Sequence, residues 1–222
     1  MTLFDRLKAA AADDWAAYVD HAFVRGLGDG RLPQAAFRNY LVQDYLFLVQ
    51  FARAHALAAY KSRTLADMRA AREGLGAILD EMSLHLRVCE RWGLSPADVE
   101  ATQEQQATVA YTRYVLDVGM SGDLLDLQVA LIPCTLGYAE IGRRLAPEGV
   151  AALPAGHPYR DWIAEYAGEP FQQAARAAGD WLEDLGRRLA CEARFPELVR
   201  IFRTASRLEA DFWQQGLDAA SA

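Results

Sequence analysis

A cysteine and a tyrosine stand four residues apart in the segment IPCTLGYAEIG, as Cys134 and Tyr138. At that spacing both side chains share one face of a helix. A thiol attacks only as its thiolate, and an unshifted pKa near ~8.5 leaves only a few per cent ionised at neutral pH. No histidine adjoins Cys134, so any activation has to come from partners that the fold brings in. Taken alone, such a cysteine also reads as a small buried hydrophobe. The same segment carries Pro133, Gly137 and Gly142. Inside an apolar helix Gly costs about 1 kcal/mol and Pro about 3 relative to alanine. Pro133 and Gly137 are therefore expected to permit a local irregularity and a close approach, through which a substrate reaches the thiol.

Two acids have the same unusual setting. Asp44 stands among Tyr40, Leu41, Tyr45, Phe47, Leu48 and Phe51 in FRNYLVQDYLFLVQFARA. Burying it without a partner costs several kcal/mol, so the plain expectation is that it caps a helix or pairs with an arginine. Glu209, in SRLEADFWQQ, is followed at i+3 and i+4 by Phe212 and Trp213, which puts it on the apolar side, whereas Asp211 points to solvent. Two carboxyls in one apolar pocket divide acid and base work when their surroundings separate their pKa values. Tyr111 and Tyr114 read equally well as core aromatics with hydroxyls at the surface. Glu81 and His85, four apart, form at most half of a di-metal site of the kind that helical bundles build from Glu and His. A second histidine at a matching carboxylate spacing is missing, and a structural hydrogen bond between helices is the simpler reading of this pair.

The elements that must position these groups read as helices nearly throughout. Phe4, Leu7, Ala11, Trp15, Tyr18 and Val19 form the stripe of a first helix ending near Arg25. GLGDGRLPQ stops it, and an aromatic-rich helix follows from about Pro33 to Lys61. A third runs from about Leu65 to Trp92, and Ser95-Pro96 reads as an N-cap followed by proline at the first helical position. Further helices are expected at about Thr102 to Val118, Leu124 to Leu145, Asp161 to Tyr166, Pro170 to Cys191 and Pro196 to Leu217. Without repeats or a shift in composition, these seven or eight helices make one all-α domain over residues 1–222.

The formal net charge of −7, with scattered basic residues, argues against a nucleic-acid partner. Pairs such as Arg143–Arg144 and Arg187–Arg188 look like solvated helix surface. The absence of an uninterrupted apolar run of spanning length argues against a membrane segment. Three widely separated cysteines, Cys89, Cys134 and Cys191, suit free thiols and a cytoplasmic setting.

In this order, QDYLFLVQFARA, AYTRY, LIPCTLGYAEIG, HPYRDWIAEYAGEPF and LEADFW resemble the TenA family of thiaminase II enzymes, over essentially the whole chain. The resemblance implies an all-helical fold related to haem oxygenase and a homotetramer, with no cofactor and no metal. It implies hydrolysis of thiamine, or of aminopyrimidines arising from its breakdown such as 4-amino-5-aminomethyl-2-methylpyrimidine. The product is 4-amino-5-hydroxymethyl-2-methylpyrimidine. By the same resemblance Cys134 matches the catalytic cysteine of the cysteine-bearing branch, and Glu209 the catalytic glutamate. Asp44 matches the aspartate that hydrogen-bonds the aminopyrimidine, and Tyr111, Tyr138 and Tyr166 match tyrosines that line or orient the pocket. Phe47 stands where some members have tyrosine, which keeps a stacking surface and removes a hydroxyl. The alternatives are a metal-dependent oxygenase of the same helical superfamily and a non-catalytic pyrimidine-binding regulator. A haem site has only His21 as an axial candidate by position.

Overall fold

The computed structural model describes residues 1–221, the side chains of residues 83 and 84 excepted. Over these residues the chain runs α1 (Leu3–Ala10), α2 (Ala12–Val19), α3 (Ala22–Gly28), α4 (Gln34–Lys61), α5 (Leu65–Arg91) and α6 (Pro96–Ala101). It continues as α7 (Gln106–Ser121), α8 (Leu124–Leu145), a 3-10 turn at Val150–Ala152, α9 (Arg160–Ala167), α10 (Glu169–Arg188) and α11 (Cys191–Ala219). No strand occurs among the described residues.

Helix starts follow the residues that can satisfy the orphan N–H groups of a first turn. Thr2 with Asp5, and Asp123 with Asp126, form reciprocal capping boxes at α1 and α8. Thr64 and Ser95 accept from the backbone N–H three residues on and open α5 and α6, with Pro96 at the start of the latter. These signals explain why α5 and α8 begin where the pattern predicts them; α4, one residue from its expected start, has no capping side chain and begins directly after Pro33.

The N-terminal stripe is one helix in the pattern and three in the structure. Ala11 (φ −119°, ψ 30°) and Asp20 (φ −117°, ψ 29°) leave helical geometry, and His21 Nδ1 accepts from Phe23 N at 3.2 Å to start α3. Neither break has a proline or glycine to announce it. The bends let Leu7, Trp15, Tyr18 and Val19 stay buried while the segment wraps along α11. Arg203 and Arg207 of α11 hold Asp14 at 2.7 Å each. His21 thus serves as a helix cap.

α11 also begins earlier than Pro196. Ala190 adopts left-handed backbone geometry (φ 53°), and the helix starts at Cys191 with the proline inside it. Arg194, on this added stretch, reaches back to Asp123 at 2.6 Å and to Asp126, so a tertiary ion pair holds what local propensity disfavours. α10 ends at Arg188 rather than Cys191, and the segment before α7 forms the separate short helix α6.

α8 runs through the middle of the packing. It is long and apolar enough to cross a bilayer by length and composition, yet 78% of that window is buried within the protein. α4 and α5 lie antiparallel, since His85 meets Leu41 near one end and Gly74 meets His55 near the other.

Candidate active site

A cavity of about 470 Å³ lies between α4, α5, α8 and the corner where α9 joins α10. α4 contributes Asp44 and Phe47, α8 contributes Cys134 and Tyr138, α5 contributes Glu81, and α9 contributes Tyr166. Cys134 is half-buried and lines this cavity. Glu209 and Tyr111 are not among the residues lining the open space. Both are buried, and Tyr111 packs on Phe47 with ring centroids 5.0 Å apart. Five of the seven expected site residues therefore share the cavity wall, and the other two stand against it.

Each of the three acids here, Asp44 and Glu209 buried and Glu81 half-buried, has a hydroxyl donor. Tyr111 Oη donates to Glu209 Oε1 at 2.8 Å. Tyr40 Oη donates to Asp44 Oδ2 at 3.1 Å and accepts from Trp162 Nε1, also at 3.1 Å. Tyr166 Oη donates to Glu81 Oε1 at 3.3 Å. His85 Nε2 meets the Leu41 carbonyl oxygen at 2.7 Å, which assigns its proton to Nε2 and leaves the Nδ1 lone pair facing Asp44 Oδ2 at 3.6 Å. Asp44 thus pairs with a tyrosine and a histidine, and the arginine partner or capping role expected for it is not what the structure shows.

Burial dominates the electrostatics. It raises Asp44 and Glu81 to about 7 and Glu209 to about 8, against hydrogen bonds that pull each of them down. It lowers His85, so Asp44 and His85 meet as a neutral contact rather than an ion pair. Burial, reinforced by the charges of Glu209, Asp44 and Glu81, pushes the Cys134 thiol well above its ordinary value. Around neutral pH this is a site of protonated and half-protonated carboxyls beside a neutral thiol.

The poor helix formers of α8 have particular tasks. A Cβ on Gly137 would come within 2.2 Å of the Tyr18 ring, and one on Gly142 within 2.5 Å of the Tyr166 backbone. Tyr18 Oη also donates to the Pro133 carbonyl oxygen at 3.3 Å. α8 continues through Pro133 without interruption. The expectation that Pro133 and Gly137 permit a local irregularity and a close approach for substrate is corrected here: the helix is regular through Pro133, and the close approach at Gly137 is made by Tyr18. Gly142 lets the end of α9 pack close, which brings Tyr166 to the cavity.

Tyr138 packs into the same group, edge-on to Tyr166 with centroids 4.8 Å apart and tilted against Trp213 at 5.3 Å. Tyr114 is half-buried, its hydroxyl 3.4 Å from the Ile201 carbonyl oxygen and turned away from this centre. Glu81 and His85 both make the structural hydrogen bonds between helices that are the simpler reading of this pair, Glu81 with Tyr166 of α9 and His85 with the Leu41 carbonyl oxygen of α4. No group of three or more His, Cys, Asp or Glu side chains is placed to hold a metal ion among the described residues. Tyr40 and, through it, Trp162 are the partners of Asp44 that the apolar pattern of α4 does not single out. Tyr40 precedes Asp44 by four residues, and that spacing alone puts its hydroxyl on the same face.

Residues 8–219 match the TENA/THI-4/PQQC family. An aminopyrimidine aminohydrolase of Halalkalibacterium halodurans is 39% identical, over 90% of this chain and 88% of that protein. The crystal structure of a TenA family transcription regulator from Silicibacter sp. TM1040 superposes with a TM-score of 0.90 at 47% identity, covering 97% of this chain and 96% of that one. A domain of unknown function with a heme oxygenase-like fold from Shewanella denitrificans superposes with a TM-score of 0.74 at 13% identity, covering 97% and 92%, a likeness of fold alone.

Proposed function

We propose that this chain, which belongs to the TENA/THI-4/PQQC family and is a hydrolase, hydrolyses the bond between a leaving amine and the exocyclic methylene carbon of an aminopyrimidine, by covalent catalysis through Cys134. The substrate class is 4-amino-5-aminomethyl-2-methylpyrimidine and relatives that carry a substituted amine or thiazolium there. What supports this reading above all is geometric: Cys134 lines the same cavity as Asp44 and Glu81, and Glu209 is buried behind it as a further proton donor and acceptor.

Asp44 binds the amino and ring-nitrogen edge of the heterocycle, held in place by Tyr40 and His85. Its raised pKa gives it a proton to share with that edge. Tyr138, Tyr166 and Phe47 supply flat faces for the ring. The sulfur adds to the ring carbon beside a ring nitrogen, that nitrogen takes a proton from a carboxylic acid, and the thiol proton passes to a neighbouring carboxylate. The now electron-rich ring expels the substituent, whose nitrogen keeps the bonding pair and, when it is an amine, takes a proton from Glu209. Water adds at the methylene carbon and gives a proton back to Glu209; the carbon–sulfur bond then breaks with its pair on sulfur, the ring nitrogen returns its proton to the carboxylate that supplied it, and the sulfur recovers the thiol proton, which releases the hydroxymethyl product. Splitting one hard displacement into easier steps is the advantage of the covalent route.

The test is direct. Enzyme incubated with the aminomethylpyrimidine should release ammonia and the hydroxymethylpyrimidine, and Cys134→Ser should abolish this while calorimetry still detects binding. Full turnover by Cys134→Ser would refute the covalent route. The Silicibacter relative motivates a second reading, a pyrimidine-binding regulator, for which ligand binding without any turnover by the unaltered protein is the signature. A homotetramer is part of the proposal, supported by Tyr60 and Leu65, which stand 86% and 69% exposed at the α4–α5 turn. Light scattering that finds a single chain would remove it.

A further inference from the structure

The proposed chemistry occupies one end of the cavity, and the other end has a polar group of its own. His55 follows Asp44 on α4 by eleven residues, on the face shared with Leu48 and Phe51, and all four line the cavity. At 1.5 Å per residue this places them about 16 Å apart along the helix. One aminopyrimidine ring seated on Asp44 fills only part of that length. Phe51, Ile78, Phe171 and Ala178 supply apolar wall to the remainder, and Asp80, Arg87 and Glu165 also line the cavity.

His55 is only 8% exposed, yet neither ring nitrogen has a hydrogen-bond partner among the described residues. Nδ1 is fully buried against Gly74, where a Cβ would come within 2.5 Å of it. A proton on Nδ1 has no acceptor to meet, so the neutral ring carries its proton on Nε2, the nitrogen that keeps accessible surface. Burial lowers His55 to about 4, which keeps the ring neutral across the working range. The result is a fixed, uncharged donor at the end of an apolar slot.

We propose that His55 is a specificity-determining residue for the departing group, donating from Nε2 to an oxygen carried at the far end of a ring-sized substituent on the pyrimidine's methylene carbon. The inference rests on the functional reading above and adds what kind of leaving group the cavity is shaped to take. A bare amine leaves the donor unmatched and the apolar section unfilled. A flat ring fills that section, and its terminal oxygen reaches the histidine. A site built around such a donor discriminates against ligands that lack the acceptor.

Calorimetry on the Cys134→Ser enzyme tests this with three probes: the aminomethylpyrimidine, thiamine, and a thiamine analogue whose hydroxyl is replaced by hydrogen. Adding His55→Leu should lower the thiamine-to-aminomethylpyrimidine affinity ratio about tenfold. His55→Gln, which keeps an N–H, should restore most of the ratio, and the hydroxyl-free analogue should be indifferent to either change. An unchanged ratio, an equal loss on the hydroxyl-free analogue, or thiamine failing to bind where the aminomethylpyrimidine binds would each overturn the inference. If the aminomethylpyrimidine itself does not bind, the functional reading has failed and His55's role falls with it.

Discussion

Tyr111 contributes a single hydroxyl, and its effect on Glu209 can be measured separately from the rest of the site. Its hydrogen bond favours the ionised carboxylate, while burial favours the acid, and burial wins. Tyr111→Phe removes the opposing influence, so the Glu209 pKa should rise further. If Glu209 acts as the acid that protonates the leaving amine, the alkaline limb of the kcat/KM profile should move to higher pH in this variant. A profile that stays in place would assign that limb to another group. Glu209→Gln should lower kcat about 10²–10⁴-fold, the usual worth of a positioned acid or base. Of these residues, Cys134, Tyr138 and Asp44 were visible from spacing and apolar context. Glu209 was visible from its place beside Phe212 and Trp213. The links that hold Asp44, from His85 and from Trp162 through Tyr40, join residues far apart in the chain, and no local pattern encodes them.

Helix ends with a capping side chain were legible, as the bounds of α8 show, because the cap and the start of the helix are neighbours in sequence. The breaks at Ala11 and Asp20 and the early start of α11 were not, because each is imposed by packing or by a distant ion pair. Gly137 belongs to the same scale. Its glycine character suggested a close approach for substrate, and its actual use is to let Tyr18 cross α8 at close range. Gly137→Ala should therefore be an overpacking change, costing about 1–3 kcal/mol and lowering Tm by several degrees for a chain of this size. Tyr18→Ala is destabilising by itself, since it empties a buried aromatic site. Combined with Gly137→Ala it should cost less than the two changes summed, because the added methyl group then has room. Thermal melts of the four proteins check this, and simple additivity would mean that the contact is not what limits residue 137.

For the molecule as a whole, the buried acids set a pH dependence of stability with a sign opposite to the common one. Asp44, Glu81 and Glu209 have folded pKa values of about 7, 7 and 8, above the ordinary carboxylate range. Between that range and those values the folded protein binds more protons than the unfolded chain, so stability falls as pH rises. Paired surface acids such as Asp14 and Glu104 are shifted down and act in the other direction, losing their contribution as pH falls below about 4. Those contributions are constant once the paired acids are fully ionised, whereas one pKa unit on a buried group corresponds to about 1.4 kcal/mol. The buried set should therefore dominate above pH 5, and Tm should be highest in mildly acidic solution and decline towards pH 8. The cost is that of ionising carboxyls in an apolar interior, so neutral isosteres should remove it. Glu209→Gln keeps a side-chain carbonyl oxygen for Tyr111 to donate to, and Asp44→Asn keeps one for Tyr40. Melting curves from pH 5 to pH 9 should show the double variant matching the unaltered protein at the acidic end and exceeding it at the alkaline end, by an amount on the order of a few kcal/mol. A parallel decline in both proteins would place the pH sensitivity elsewhere. A gain at pH 9 accompanied by loss of turnover would show that this protein gives up stability in order to keep protonatable acids beside its thiol.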